Sequence, residues 1–228
     1  IDSVIEKGRK LAGHIFETSA ADIEYSGGNF RITGTDRAIN IFELATKIKL
    51  LNNLPSDIPK SLDSEEDFTS PEQTYPNGCH ICEVEIDPET GEIEVVDYTA
   101  VDDCGTVINP MIVHGQVHGG VAQGLGQVLG EHAVYDKDGQ LLSGSFMDYT
   151  LPRADDLPMM KLGFHSVTCT TNPIGAKGAG EAGTTGALPA GMNAIIDALS
   201  IHNITEMDMP ATSEKLWAAL NKNSQNYD

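Results

Sequence analysis

Residues 172–199, NPIGAKGAGEAGTTGALPAGMNAIIDAL, decide how this chain is read. The first half is a glycine-rich loop (Gly175, Gly178, Gly180, Gly183, Gly186) with one acid in its middle, Glu181. The second half is helix-like, with Met192, Ile195, Ile196 and Leu199 at helical spacing. Clustered glycines let backbone N–H groups approach a ligand closely, and a helix N-terminus behind them favours anionic groups. A carboxylate between glycines is placed for proton chemistry, which a structural turn rarely needs. The plainer alternative is a tight packing turn.

Working outward, KLGFHSVTC (161–169) reads as a strand leading into the loop. Further upstream, MIVHGQVHGGVAQGLGQVL (111–129) has helical periodicity but carries Gly115, Gly119, Gly120, Gly124 and Gly126. Each mid-helix glycine costs about 0.8–1 kcal/mol relative to alanine, so five ask for roughly 4–5 kcal/mol of compensation. Close approach to a ligand or to another backbone is the expected source. Gln116, His118 and Gln123 lie among these glycines.

CHICEVEID and EIEVVDYTAVDD, joined by PETG, form a hairpin of alternating apolar residues. DDCGTVINP follows as a loop, with Asn109-Pro110 read as a stop and turn. HAVYDKDGQLL reads as a second hairpin turning at Asp136 to Gly139, and SFMDYTLPRADDLP as a polar segment punctuated by proline. Near the N-terminus, residues 1–16 place Ile1, Val4, Ile5, Leu11, Ala12, Ile15 and Phe16 on one helical stripe. DIEYS and NFRIT form a hairpin across Gly27-Gly28, and Asn40 with Glu43 opens the helix IFELATKIKL. Residues 51–75, rich in Pro, Ser and acids, are an irregular connection. They separate a small α/β unit with its acidic connection (1–70) from a main domain (71–228). A short helix near 210–220, capped by Thr212, closes the chain. Strands and helices alternate without a regular βαβ rhythm, which predicts an α+β fold with a mixed sheet and packed helices.

Composition bounds the function. The chain has 228 residues, 40% hydrophobic, enough for a core. Its formal charge of −20 argues against nucleic acid and anionic membrane as partners. No run is apolar and long enough for membrane insertion, and no signal-peptide core is present, so a cytoplasmic protein is expected. The first residue is not Met, which suggests a fragment or an internal piece.

Cys79 and Cys82 form a C-x-x-C, but a strand's period of two sends them to opposite faces and no second pair completes a zinc site. Buried, reduced thiols are expected. His114 and His118, at i and i+4, lack an acidic third ligand in that motif and read as polar packing or cofactor-facing residues. Asp102-Asp103 look like paired carboxylates, yet in a strand they face opposite ways, and stabilising a turn suits them better.

Five segments in order carry a resemblance: PNGCHICEVEIDPETG, AVDDCGTVINP, GQVHGGVAQGLGQVL, GSFMDYTLPRADDLP and TNPIGAKGAGEAGTTGALPAGMNAIIDAL. Together they resemble the C-terminal part of the molybdenum-cofactor subunit of the xanthine dehydrogenase, aldehyde oxidase and carbon monoxide dehydrogenase family. The likeness is strong over residues 75–211. The G-E-A-G form at Gly180 to Gly183 is closest in style to the carbon monoxide dehydrogenase branch. The resemblance implies that 71–228 is the C-terminal part of a molybdopterin-binding domain. It implies molybdenum on a pterin dithiolene, in a plain or cytosine dinucleotide form, with no protein side chain on the metal. The reaction implied is oxidation of an aldehyde, an N-heterocycle or a similar small molecule with oxygen derived from water.

Residue by residue, Glu181 corresponds to the glutamate acting as general base and Gln116 to a glutamine that hydrogen-bonds the pterin. The backbone of Gly178, Ala179 and Gly180 would lie against the cofactor. FAD and [2Fe–2S] centres are expected on partner subunits or domains. The chain is about a third of such a subunit, and none of its cysteines sits in the copper-binding motif of the carbon monoxide-oxidising branch. On this reading it holds half a site and is inactive alone.

Two rivals remain. Gly178, Gly180 and Gly183 also satisfy G-x-G-x-x-G, the mark of a dinucleotide-binding fold, but residues 171–177 separate strand from glycines and Glu181 would face the pyrophosphate with a like charge. The non-enzymatic rival is an assembly module of the same complex.

Overall fold

A computed structural model describes residues 1–51 and 53–224. The chain divides into two compact units, Ile1–Thr69 and Ser70–Asp228.

In the first unit, α1 (Asp2–Phe16) and α2 (Ile41–Ile48) accompany a three-stranded antiparallel sheet. Its strands are β1 (Ile23–Ser26), β2 (Asn29–Ile32) and β3 (Ala38–Asn40), in that spatial order. Gly27 and Gly28, both at positive φ, make the hairpin turn the sequence predicts. Asn40 caps α2 by accepting the Phe42 N–H. Leu11, Phe30, Ile39 and Leu44 form the core.

The second unit is built on β4 (Asn77–Ile86), β5 (Ile93–Asp103) and β6 (Lys161–Phe164). β4 and β5 are antiparallel and β5 and β6 parallel, so the sheet is mixed and the fold α+β, as expected. Two long helices cover one face: α3 (Pro110–Leu129) and α4 (Ala182–Ser200). Val95, Tyr98 and Ala100 of β5 meet Val117, Val121 and Leu125 of α3 and Ala187 of α4. α5 (Ser213–Ser224) extends this core through Leu216 and Leu220, which pack with Val128, Ile195 and Leu199. Thr212 accepts the Lys215 N–H at its start.

Several expectations need correction. Asn109-Pro110 does not end an element: Asn109 accepts the Ile112 N–H and Pro110 opens α3, a position where a missing N–H costs nothing. The hairpin at 132–142 reduces to a single bridge, Tyr135 to Leu141, with the turn ending at Gly139 as read. The strand before the glycine loop stops at Phe164. α4 begins directly after Glu181, so Gly183 and Gly186 lie inside the helix rather than in the loop, as does Pro189 further along it. The thiols are not uniformly buried either: Cys79 is exposed, Cys82 and Cys169 are half-buried, and only Cys104 is buried, all four free.

Among the described residues no doubly wound parallel sheet is present, and the Gly178 to Gly183 run does not join a strand directly to a helix, which removes the dinucleotide-binding reading. Among the described residues, no helix is long and apolar enough to cross a membrane.

Candidate functional site

The glycines of α3 sort into two groups. A Cβ on Gly120 would lie 2.9 Å from the Thr184 backbone nitrogen, and one on Gly124 would lie 2.7 Å from the Ala187 Cβ. From the other side, a Cβ on Gly183 would meet the Val117 carbonyl oxygen at 2.4 Å. These three positions let α3 and α4 approach backbone to backbone, and Thr184 Oγ1 donates across the contact to the Gly120 carbonyl at 3.0 Å. Gly126 similarly faces Glu131 and Pro152.

Gly115 and Gly119 are different. A Cβ on either would meet no atom of the described residues within 4 Å beyond the helix's own backbone and the adjacent residues. Packing inside this chain therefore accounts for three of the five glycines and leaves about 2 kcal/mol of helix propensity uncompensated at the other two. The exposed stripe they form is a cradle that side chains would fill, as a flat, closely approaching ligand requires.

Gln116 lies on that stripe. Its Oε1 is 3.7 Å from where a Cβ of Gly180 would stand, so α3 and the glycine loop converge here. Gly178 is equally uncrowded: the nearest atom to its Cβ position is the Thr74 carbonyl oxygen at 3.7 Å. Glu181 sits at the N-cap of α4 with φ −108° and ψ 0°, in the sparsely populated bridge between helix and extended conformations. Its carboxylate caps nothing and has no hydrogen bond or ion pair among the described residues. An N-cap acid normally accepts from the first turn. Here it is exposed and structurally unemployed. The five residues singled out by sequence are thus gathered at one end of the α3–α4 pair.

The loop's foundations were not foreseen. Lys177 Nζ lies 2.5 Å from Asp103 Oδ2, with both side chains 13% exposed. Asp103 Oδ1 also accepts the N–H groups of Gly105 and Val167, each at 2.9 Å. The hydrogen bond from Lys177, then those from the backbone, lowers the Asp103 carboxyl to about 2. Asp102 points the other way, as the strand period demands. It is 3% exposed and stays with His80, whose Nε2 is 3.1 Å from its Oδ1. His80 Nδ1 contacts the Tyr98 hydroxyl at 2.7 Å, and the ring lies under Gly186 of α4. Asp103 therefore does stabilise a turn, while Asp102 holds a core histidine.

His118 Nδ1 contacts the His114 carbonyl oxygen at 2.8 Å, and the His114 ring packs edge-on against Phe164. Among the described residues, no three His, Cys, Asp or Glu side chains are grouped to hold a metal ion.

Comparison with known families places the chain. Residues 1–158 match the model of the molybdopterin cofactor-binding domain. The chain belongs to this family. It is 36% identical over 221 residues to the carbon monoxide dehydrogenase large chain of Hydrogenophaga pseudoflava, a match covering 96% of this chain and 27% of that one. It superposes on a Cu,Mo-CO dehydrogenase in its carbon monoxide-reduced state with a TM-score of 0.90, at 33% identity, covering 97% of this chain and 28% of that one. Quinoline 2-oxidoreductase from Pseudomonas putida 86 gives 0.86 at 33% identity, covering 96% and 28%. The chain thus spans just over a quarter of the length of the relatives it matches.

The cradle fits such a cofactor. Gln116 supplies a free amide, residues 178–180 supply uncrowded backbone, and Gly115 and Gly119 leave space for a flat ring system to approach α3.

Proposed function

We propose that this chain contributes one wall of the active site of a molybdenum hydroxylase, with Glu181 as general base. The observation that carries the reading is an exposed, unpaired carboxylate at the N-cap of α4, next to a glycine-lined cradle that packing within the chain leaves open. A structural glutamate would cap the helix or pair with a cation; this one does neither.

When bound, the molybdenum cofactor supplies the two-electron acceptor and the site from which water-derived oxygen reaches the substrate. The chain's own residues hold the cofactor and accept a proton. The Gln116 amide is placed to hydrogen-bond the pterin edge, and the backbone of Gly178, Ala179 and Gly180 to lie against the cofactor. Glu181 takes the proton released as the new C–O bond forms, because a base acts only within hydrogen-bond reach of its proton and a loop ending at an N-cap can be brought that close. A second, purely architectural role would not require either unpaired polar side chain.

The proposed substrate is a small aldehyde or N-heteroaromatic compound with an electron-poor carbon. The remaining part of the molybdenum subunit would complete the pocket, and FAD-binding and iron–sulfur partners would carry electrons away, in the cytoplasm. The pterin is proposed to be in its plain or cytosine dinucleotide form.

The test is to purify the full-length protein with its partners and assay molybdenum, pterin and dye-linked oxidation of carbon monoxide, aldehydes and N-heterocycles. We expect stoichiometric molybdenum and at least one substrate oxidised with the oxygen label of water in the product. A preparation free of molybdenum and pterin, or a product labelled from dioxygen, would contradict the proposal.

A further inference from the structure

A lysine in a glycine-rich loop invites the reading of a phosphate ligand. Lys177 does not have that freedom. Its Nζ is held 2.5 Å from Asp103 Oδ2 in a site where both side chains are 13% exposed. The surroundings are knitted as tightly. Lys177 donates its backbone N–H to the Cys104 carbonyl at 2.9 Å, and the Gly175 carbonyl accepts the N–H groups of Thr106 and Cys169. Asp103 receives Gly105 and Val167. The end of β5, the segment at 167–169 and the turn at 175–177 are therefore tied to one carboxylate.

The next fixed point lies beyond Glu181. Gly183 is seated against the Val117 carbonyl and the Val121 nitrogen, where no side chain fits. Between these anchors run Gly178, Ala179 and Gly180. At the two glycines a built Cβ would meet only ordinary contacts, at 3.7 Å or more, from Thr74, Pro76 and Gln116, so among the described residues none wedges their path tightly from the side. A short, glycine-flanked span takes its position from its ends. One end is the helix pair; the other is the ion pair.

We infer that the Lys177–Asp103 ion pair is a strut that positions Glu181 and the 178–180 backbone, and that Lys177 is a positioning residue rather than a ligand of the cofactor's phosphates. The inference rests on the reading of Glu181 as the base. Removing either partner leaves the other charged and largely buried, so the loop end must move to hydrate it. Removing both costs little more than removing one, because the strut is already gone.

The experiment uses the full-length holoenzyme with Lys177→Met, Asp103→Asn and the double variant, each compared with the parent per bound molybdenum. Small misplacements of a catalytic group are costly, so each single variant should lower kcat by about 10-fold or more while KM changes by less than about 2-fold. The double variant should be no slower than the slower single, the mark of two residues acting as one unit. Independently of activity, amide hydrogen exchange in a peptide covering 172–181 should accelerate in all three. A phosphate ligand predicts something else: Lys177→Met would release molybdopterin while Asp103→Asn would not, and the losses would multiply. That outcome, or parent-like exchange in Lys177→Met, overturns the inference. If Glu181→Gln proves as active as the parent, the base reading fails, and the exchange data still decide whether the strut exists.

Discussion

Gly183 of α4 faces the carbonyl oxygen of Val117 on α3 so closely that a Cβ would stand 2.4 Å from it. The contact fixes the distance between the two helices whose ends carry Gln116 and Glu181. Gly183→Ala must push the helices apart or bend one of them. Overpacking of this kind costs about 1–3 kcal/mol, read as a lower denaturant midpoint with an unchanged slope. Stability equal to the parent would mean that the helices are not in backbone contact.

Gly119→Ala should do the reverse. Beyond the helix's own backbone and the adjacent residues, no atom of the described residues lies within 4 Å of the new methyl group, so the helix gains about 0.8–1 kcal/mol of propensity. If the exposed stripe seats the cofactor, the same methyl group obstructs it. The expected result is a cofactor-free protein that is more stable and a purified enzyme with less molybdenum. A more stable variant with full molybdenum content would show that the cradle is used by something else.

These two glycines also show what the sequence could and could not reveal. Five glycines in a helical pattern announced that something approaches α3, but the spacing did not say which face meets a helix and which stays open. That division depends on α4, which is far along the chain from α3. The start of α4 was misplaced because Gly183, Gly186 and Pro189 disfavour helix locally. Tertiary packing of Gly183 and Ala187 against α3 overrides that preference. Asn109-Pro110 misled for a related reason: the same dipeptide stops one element and caps another. The alternating strands β4 and β5 were legible because their period is a local signal, and Glu181 and Gln116 stood out by residue type alone. The Lys177–Asp103 pair was not, since its partners lie 74 positions apart.

The ion pair makes an acid-sensitivity prediction. Lys177 and the two backbone donors hold the Asp103 carboxyl at about 2, below the usual 3.8. A group whose folded value is depressed stabilises the protein above its unfolded value and loses that contribution as pH falls through the folded one. The stability advantage of the parent over Asp103→Asn should therefore be constant near neutrality, shrink below about pH 4 and vanish near 2. Denaturant midpoints measured between pH 7 and 2.5 check this. An advantage that grows on acidification would reverse the assigned cause.

Cys79 and Cys82 lie on opposite faces of β4, and burial, with the neighbouring Glu83 charge, pushes the Cys82 thiol up to about 11. Alkylation at pH 8 should label Cys82 only after unfolding. A metal chelator should leave the thermal midpoint unchanged, since the pair cannot converge on one ion. Rapid native labelling of Cys82, or chelator-induced unfolding, would point to a different strand register.

The most direct test of the account is Glu181→Gln in the assembled, cofactor-loaded enzyme. Glutamine is nearly isosteric and still hydrogen-bonds, but it cannot accept the proton. The carboxylate makes no contact that the fold needs, so stability and molybdenum content should match the parent. Positioned acid–base catalysis is worth typically 10²–10⁴-fold, so cofactor reduction followed in a single turnover should slow by about 100-fold or more. A variant with full molybdenum content that reduces its cofactor at a rate within about threefold of the parent would contradict the assignment of Glu181 as the base.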